Sequence, residues 1–219
     1  MNRKGFLILV IAVLVVGGAF AQMPEFKLSA GAGGYFTSDF GGGYEYTVGS
    51  NLYENKIPYY GGGGLVFFDA TYVELSLGFF AAGGSFKMYC DGTQFNKYDM
   101  SRTGLDIGLL GKYPFALGEQ FTLFPLLGIT YRRFISVKTD LPAFYVPSSA
   151  GDLSVLWFKL GAGADFTFTD HIFARLGVVY GIRLKNKWEK YLVNEDYGHN
   201  MKIRLGHGLD VKLAVGYRF

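Results

Sequence analysis

The 219-residue sequence predicts an all-β fold: an eight-stranded antiparallel up-and-down transmembrane β-barrel with short periplasmic turns and four long extracellular loops. Three observations predict it. Apolar and small or polar residues alternate with a period of two over eight segments, as strands with two unlike faces require. The connections between those segments alternate between short and long. The chain is 50% apolar, yet beyond its first residues it has no run long enough to cross a bilayer as a helix.

Composition and the N-terminus limit what the chain is for. The 18% aromatic content excludes a long disordered chain, and the single Cys90 excludes a disulfide scaffold. Residues 1–21 read as a cleaved signal peptide: a basic start with Arg3 and Lys4, an apolar run Phe6–Val16, then small Ala19 and Ala21 before Gln22. The run is shorter than the ~20 apolar residues of a membrane anchor, and Gln22 offers no thiol for lipid attachment. Export therefore leaves one domain, 22–219. Losing Arg3 and Lys4 reduces the 21 basic residues to 19 against 18 acidic, a balance that argues against nucleic acid as a partner.

The segments follow in order. The first sets Phe26, Leu28, Ala30 and Ala32 against Ser29, Gly31 and Gly33. The second, about Tyr59 to Phe68, contains Gly61 to Gly64, which leave its facing open. The third sets Val73, Leu75, Leu77 and Phe79 against Glu74, Ser76 and Gly78. The fourth sets Leu105, Ile107 and Leu109 against Arg102, Asp106 and Lys112, and the fifth Leu127, Ile129 and Tyr131 against Phe124, Leu126 and Arg132. The sixth sets Phe158, Leu160 and Ala162 against Lys159, Gly161 and Asp165. The seventh sets Leu176, Val178 and Tyr180 against Arg175, Gly177 and Val179. The eighth sets Leu213, Val215 and Tyr217 against Asp210, Lys212 and Gly216. Tight turns fall at Asp69–Thr71, Pro114–Gln120 and Thr169–His171, and long polar stretches near 38–58, 87–101, 135–155 and 184–203.

A soluble barrel alternates too, with its apolar face inward. Two features argue for the reverse. The non-apolar face is crowded with glycine, including Gly104, Gly128, Gly161, Gly163 and Gly216. On a solvated face glycine only weakens a strand, whereas in a narrow barrel it makes room for larger neighbours. Aromatics also mark both ends of the apolar face: Phe121, Phe166, Phe168 and Phe219 at one, Tyr131, Phe158 and Tyr180 at the other.

The final segment alternates through Leu213, Val215 and Tyr217 and ends on the aromatic Phe219. It resembles the C-terminal signal of bacterial outer-membrane proteins, and the whole chain resembles the small eight-stranded barrels of the OmpA, OmpX and OmpW kind. The resemblance implies an outer-membrane location, both termini in the periplasm, and recognition of the last strand by the barrel-assembly machinery. It does not single out one subfamily, and fold alone does not set function.

Inside the barrel the candidate residues are ion pairs that fill the lumen and hold register: Asp165 with Arg175, Glu74 with Lys112, and Asp106, Arg132, Lys159 and Asp210 among themselves. If Phe168 faces Ile172 across the last short turn, the same register sets Asp165 opposite Arg175. The other reading is a narrow passage lined by these charges. A second inward set, Leu110, Phe124, Leu126 and Val179, either fills space between glycines or lines a small hydrophobic pocket of the OmpW kind. Pro125 removes a ladder donor and marks a bulge, weak pairing or a lateral opening.

No catalytic or metal constellation stands out, and no cofactor is called for. Cys90 has no partner thiol, His171, His199 and His207 lack ligand spacing, and Leu209 stands where a lipid-modifying barrel would need Ser. Loop aromatics such as Tyr44, Tyr46, Tyr53, Phe95 and Tyr98 suit either the membrane interface or a host or envelope ligand. Arg183, Lys185, Lys187 and Lys190 form a basic group suited to lipid head groups. The functional expectation is a structural or surface-interaction role through the loops. The alternatives are a narrow channel for small or hydrophobic solutes and, third, lipid modification.

Overall fold

A computed structural model describes residues 26–40, 42–140, 149–184 and 202–219. Eight long strands form the wall: β1 Leu28–Phe40, β2 Tyr59–Ala70, β3 Val73–Cys90, β4 Thr93–Lys112, β5 Phe121–Thr139, β6 Val155–Thr167, β7 Ile172–Arg183 and β8 Gly206–Arg218. Each pairs antiparallel with the next in sequence, and β8 closes on β1 from Ser29↔Arg218 to Phe40↔His207. The closed ring leaves no wall strand with an unpaired edge in hydrocarbon, the condition for β-structure to cross a membrane.

Facing follows the alternation. Every wall strand turns large apolar side chains outward, among them Phe36, Phe68, Leu77, Ile107, Leu127, Leu160, Leu176 and Leu213. Leu160 and Leu213 are 58% and 65% exposed, whereas Asp165 and Arg175 are 4% and 5%. The oily surface is therefore outside, and the glycines and ions are inside. An apolar belt round a whole barrel far exceeds the patches that soluble monomers expose. The second segment, ambiguous in sequence, resolves with Leu65, Phe67 and Asp69 inward.

Glycine and phenylalanine share the interior by register. Phe67 lies opposite Gly31, Phe80 opposite Gly104, Phe124 opposite Gly163 and Phe173 opposite Gly216. Each ring lies where the glycine's missing Cβ would be, at 2.3 Å for Gly163 and Gly216. A narrow barrel accommodates these rings because the opposing residue has no side chain.

Two expectations need correction, and a third, left open between alternatives, is resolved. The stretches near 38–58 and 87–101 are not irregular loops. The first folds as a hairpin of Gly43–Val48 on Asn51–Lys56. The second is the upper part of β3 and β4, closed by a tight turn with Asp91 at φ 48° and Gly92 at φ 80°. These hairpins join through Tyr53↔Cys90 to Lys56↔Lys87, and Lys202–Arg204 adds to Gly43–Glu45. The sheet thus continues above the wall, because Tyr44, Phe86 and Met88 form an apolar cluster on its inner face that stabilises strand over loop. Second, Asp69 is not a turn residue. It ends β2 facing inward, and the turn is Thr71–Tyr72. Third, Pro125 sits opposite Ala162 without a bulge. Its effect is on the other edge: β4–β5 pairing stops at Lys112↔Leu126 and resumes in the same register at Phe115↔Leu123, skipping Pro114 and Pro125. The interruption is confined to the short-turn end.

Candidate functional site

The lumen holds two decks of paired charge, with Asp39, Arg102 and Arg183 buried above them. The deck nearer the short turns centres on Arg175. Its Nε and Nη2 donate to the two oxygens of Asp165, each at 2.7 Å, as the hairpin register requires. Its Nη1 donates to Glu74 at 2.9 Å, and Nη2 also lies 2.5 Å from Asp69. Lys112 does not pair with Glu74. It binds Asp69, while Glu74 takes Arg175 and, at 3.4 Å, Lys212. The reason is register: Glu74 lies opposite Leu110 on β4, and Asp69 lies opposite Glu74 on β2. Two carboxylates directly opposed repel, and Lys112 and Arg175 neutralise them. This deck carries Asp69, Glu74 and Asp165 against Lys112, Arg175 and Lys212, so it is balanced.

The upper deck centres on Arg132, which is 0% exposed. It binds both oxygens of Asp106 (2.7 and 2.6 Å), the Tyr59 hydroxyl (3.0 Å) and Thr37 Oγ1 (3.1 Å). Thr37 donates to Asp210 at 2.7 Å, Lys159 donates to the other oxygen of Asp210 at 2.7 Å, and the Tyr35 hydroxyl donates to Asp106 at 3.0 Å. Here two acids, Asp106 and Asp210, meet two bases, Arg132 and Lys159.

Both decks span the barrel. In a ring of eight, β7 is diametrically opposite β3, and β5 opposite β1. Arg175 therefore reaches across the whole lumen to Glu74, and Arg132 across it to Thr37. Rings pack between: Arg175 lies over Phe67 (4.6 Å) and Arg132 over Phe80 (4.6 Å). Leu110, Phe124, Leu126 and Val179 form one tight cluster, each nearly inaccessible, and fill the space over Gly161 and Gly163. Sequence reasoning missed Asp69, Tyr35, Thr37 and Tyr59. All four lie at inward positions of β1 and β2; extending the alternation by a few residues would have found Tyr35, Thr37 and Asp69, whereas Tyr59 stands inside a segment whose four glycines left the facing open.

The remaining candidates are placed as follows. Arg183 faces inward and lies 3.4 Å from Asp39, so it is not part of a lipid-facing basic group. Lys185, Lys187, Lys190 and His199 lie outside the described residues. Cys90 ends β3, half-buried. Tyr44 is buried and Tyr46 stacks on Tyr53 at 5.2 Å, so these loop aromatics pack within the upper sheet. Leu213, Val215, Tyr217 and Phe219 all face outward, and the Phe219 N–H donates to Leu28 O at 2.9 Å, fastening the end of the chain to β1.

No protein-family model matches the chain, and no curated protein matches it. Solved structures do. The chain is similar to the outer membrane protein OprG from Pseudomonas aeruginosa, at 12% identity and a TM-score of 0.50, covering 89% of this chain and 96% of that one. It also aligns with Neisserial surface protein A at 13% identity and a TM-score of 0.41, covering 86% and 99%. At such identities the OprG match speaks to fold, and it agrees with the closed ring of strands: this chain has the fold of the small eight-stranded outer-membrane β-barrels.

Proposed function

We propose that the chain is an integral protein of the outer membrane, exported through its N-terminal signal, whose lumen is closed and whose contacts with the envelope or a host run through the hairpins above the wall. One observation carries the closed lumen: Arg175 and Arg132 each bridge diametrically opposite strands. An open passage needs a continuous column of water, and both bridges interrupt it. The hairpins support the surface role, because they form a stiff sheet rather than mobile coil. Assembly through the C-terminal strand, with Phe219 as its last anchor, belongs to the same reading.

Conductance of the refolded protein in planar bilayers tests it. The wild type gives no unitary steps, and steps appear when Arg132→Ala and Arg175→Ala remove both bridges. Ion steps from the wild type would overturn the closed lumen.

A further inference from the structure

The outer face of the upper sheet carries a row of cations set by register. Arg204 lies opposite Gly43, Gly43 opposite Lys56, Lys56 opposite Lys87, and Lys87 opposite Lys97. Arg204 is held by Glu45 and Glu54. Three lysines remain on three adjacent strands. Residues directly opposite in an antiparallel pair lie ~5 Å apart, and like charges there repel. Internal compensation is partial. Lys56 reaches the half-buried Glu54 at 3.7 Å and lies over the Tyr89 ring at 4.6 Å, Lys97 reaches the exposed Asp99 at 3.4 Å, and Lys87 has no acidic partner among the described residues.

The row borders a cleft of about 770 Å³ whose lining includes Tyr60, Gly83, Gly84, Lys87, Lys97 and Lys138. Asp99 and Asp140 also line it and offset part of the charge. Its lower end is the upper end of the lipid-facing wall. Tyr60, 67% exposed, lies opposite Gly83, four residues along β3 from the outward Phe79. From Gly83 to Lys87 is four residues more, about 10 Å of height at ~3.3 Å per residue and a tilt near 40°. A lipid whose chains lie on Phe79 and Tyr60 has its head group beside these lysines.

We propose that this cleft binds the phosphate groups of an anionic lipid of the outer leaflet, with Lys87, Lys97 and Lys138 of its lining as the phosphate-binding side chains. The proposal rests on the membrane-barrel reading above. A lysine beside an anionic lipid surface strengthens binding about fivefold, so three account for about 100-fold at low salt. Screening reduces this at physiological ionic strength.

The test uses refolded protein in phosphatidylcholine nanodiscs doped with lipopolysaccharide or with its dephosphorylated form. Native mass spectrometry counts the glycolipid retained by the wild type, by Lys87→Gln/Lys97→Gln/Lys138→Gln and by Lys87→Arg/Lys97→Arg/Lys138→Arg. Heat-modifiable migration reports the barrel separately. The wild type and the arginine variant retain phosphorylated lipid, the glutamine variant retains it about 100-fold more weakly, and the dephosphorylated form shows no difference. A heat-shifted glutamine variant that keeps the lipid overturns this proposal alone, whereas a wild type without a heat shift overturns the barrel reading and this one with it. Inorganic triphosphate that displaces the lipid and binds equally well in its absence assigns the cleft to a soluble polyanion, and the lipid proposal falls.

Discussion

Arg175→Met removes the hub of the lower deck while retaining bulk among the rings of Phe67, Phe124 and Phe173, which lie 4.6, 5.0 and 5.2 Å from its guanidinium carbon. It cancels the two hydrogen bonds to Asp165, the one to Glu74 and the ion pair with Asp69. Asp69, Glu74 and Asp165 are then left with only Lys112 and Lys212. A buried ion stripped of its partner costs about 3–5 kcal/mol. Asp165→Asn is milder, because Arg175 keeps Glu74 and Asp69, and about 1–3 kcal/mol is expected. Combining the two restores two acids against two bases. The pair therefore costs less than the sum of the single changes, by about 1–3 kcal/mol of coupling. Urea titration of protein refolded in phosphatidylcholine vesicles, followed by the fraction that resists unfolding on unheated gels, measures all three. An Arg175→Met variant within about 1 kcal/mol of wild type, or strict additivity of the two changes, would refute the account of the deck.

The glycine positions give a second test: Gly163→Ala places a Cβ 2.3 Å from the Phe124 ring, which is also packed against Lys112 (4.6 Å) and Arg175 (5.0 Å), so stability in the same titration falls by about 1–3 kcal/mol. Gly83→Ala, where a Cβ meets nothing within 4 Å, is its control and leaves the midpoint unchanged. At the β3–β4 turn, Gly92→Ala forces a side chain into φ 80° at about 1–2 kcal/mol; proteolysis between 87 and 97 accelerates, while the heat shift of the wall persists. Phe219→Ala slows insertion in cells more than it weakens the refolded barrel, whose loss stays below about 3 kcal/mol, the burial value of one large ring; equal effects on both would remove its role in assembly.

What was legible in the sequence was whatever depends on parity alone. Alternation decides which side of a strand meets lipid, so the outward placing of Leu160, Leu176 and Leu213 and the inward placing of Asp106, Arg132 and Lys159 needed nothing beyond the chain itself. Register across a tight turn is also local, which is why Asp165↔Arg175 could be read from the Thr169–His171 turn. Glu74 with Lys112 failed because sharing one end of neighbouring strands does not make two residues opposite: register gives Glu74 to Leu110 and frees Lys112 for Asp69. The bridges that close the lumen were out of reach of the sequence altogether. Arg175 to Glu74 joins residues 101 apart, and Arg132 to Thr37 joins residues 95 apart. Only the closure of eight strands into one ring sets those partners face to face. A barrel of the same strands with one more hairpin would keep every outward residue outward, yet it would widen the ring and pull both arginines off their far partners. Lipid-facing parity and lumen closure are therefore separate properties of this chain: the first belongs to each strand, the second to the strand count.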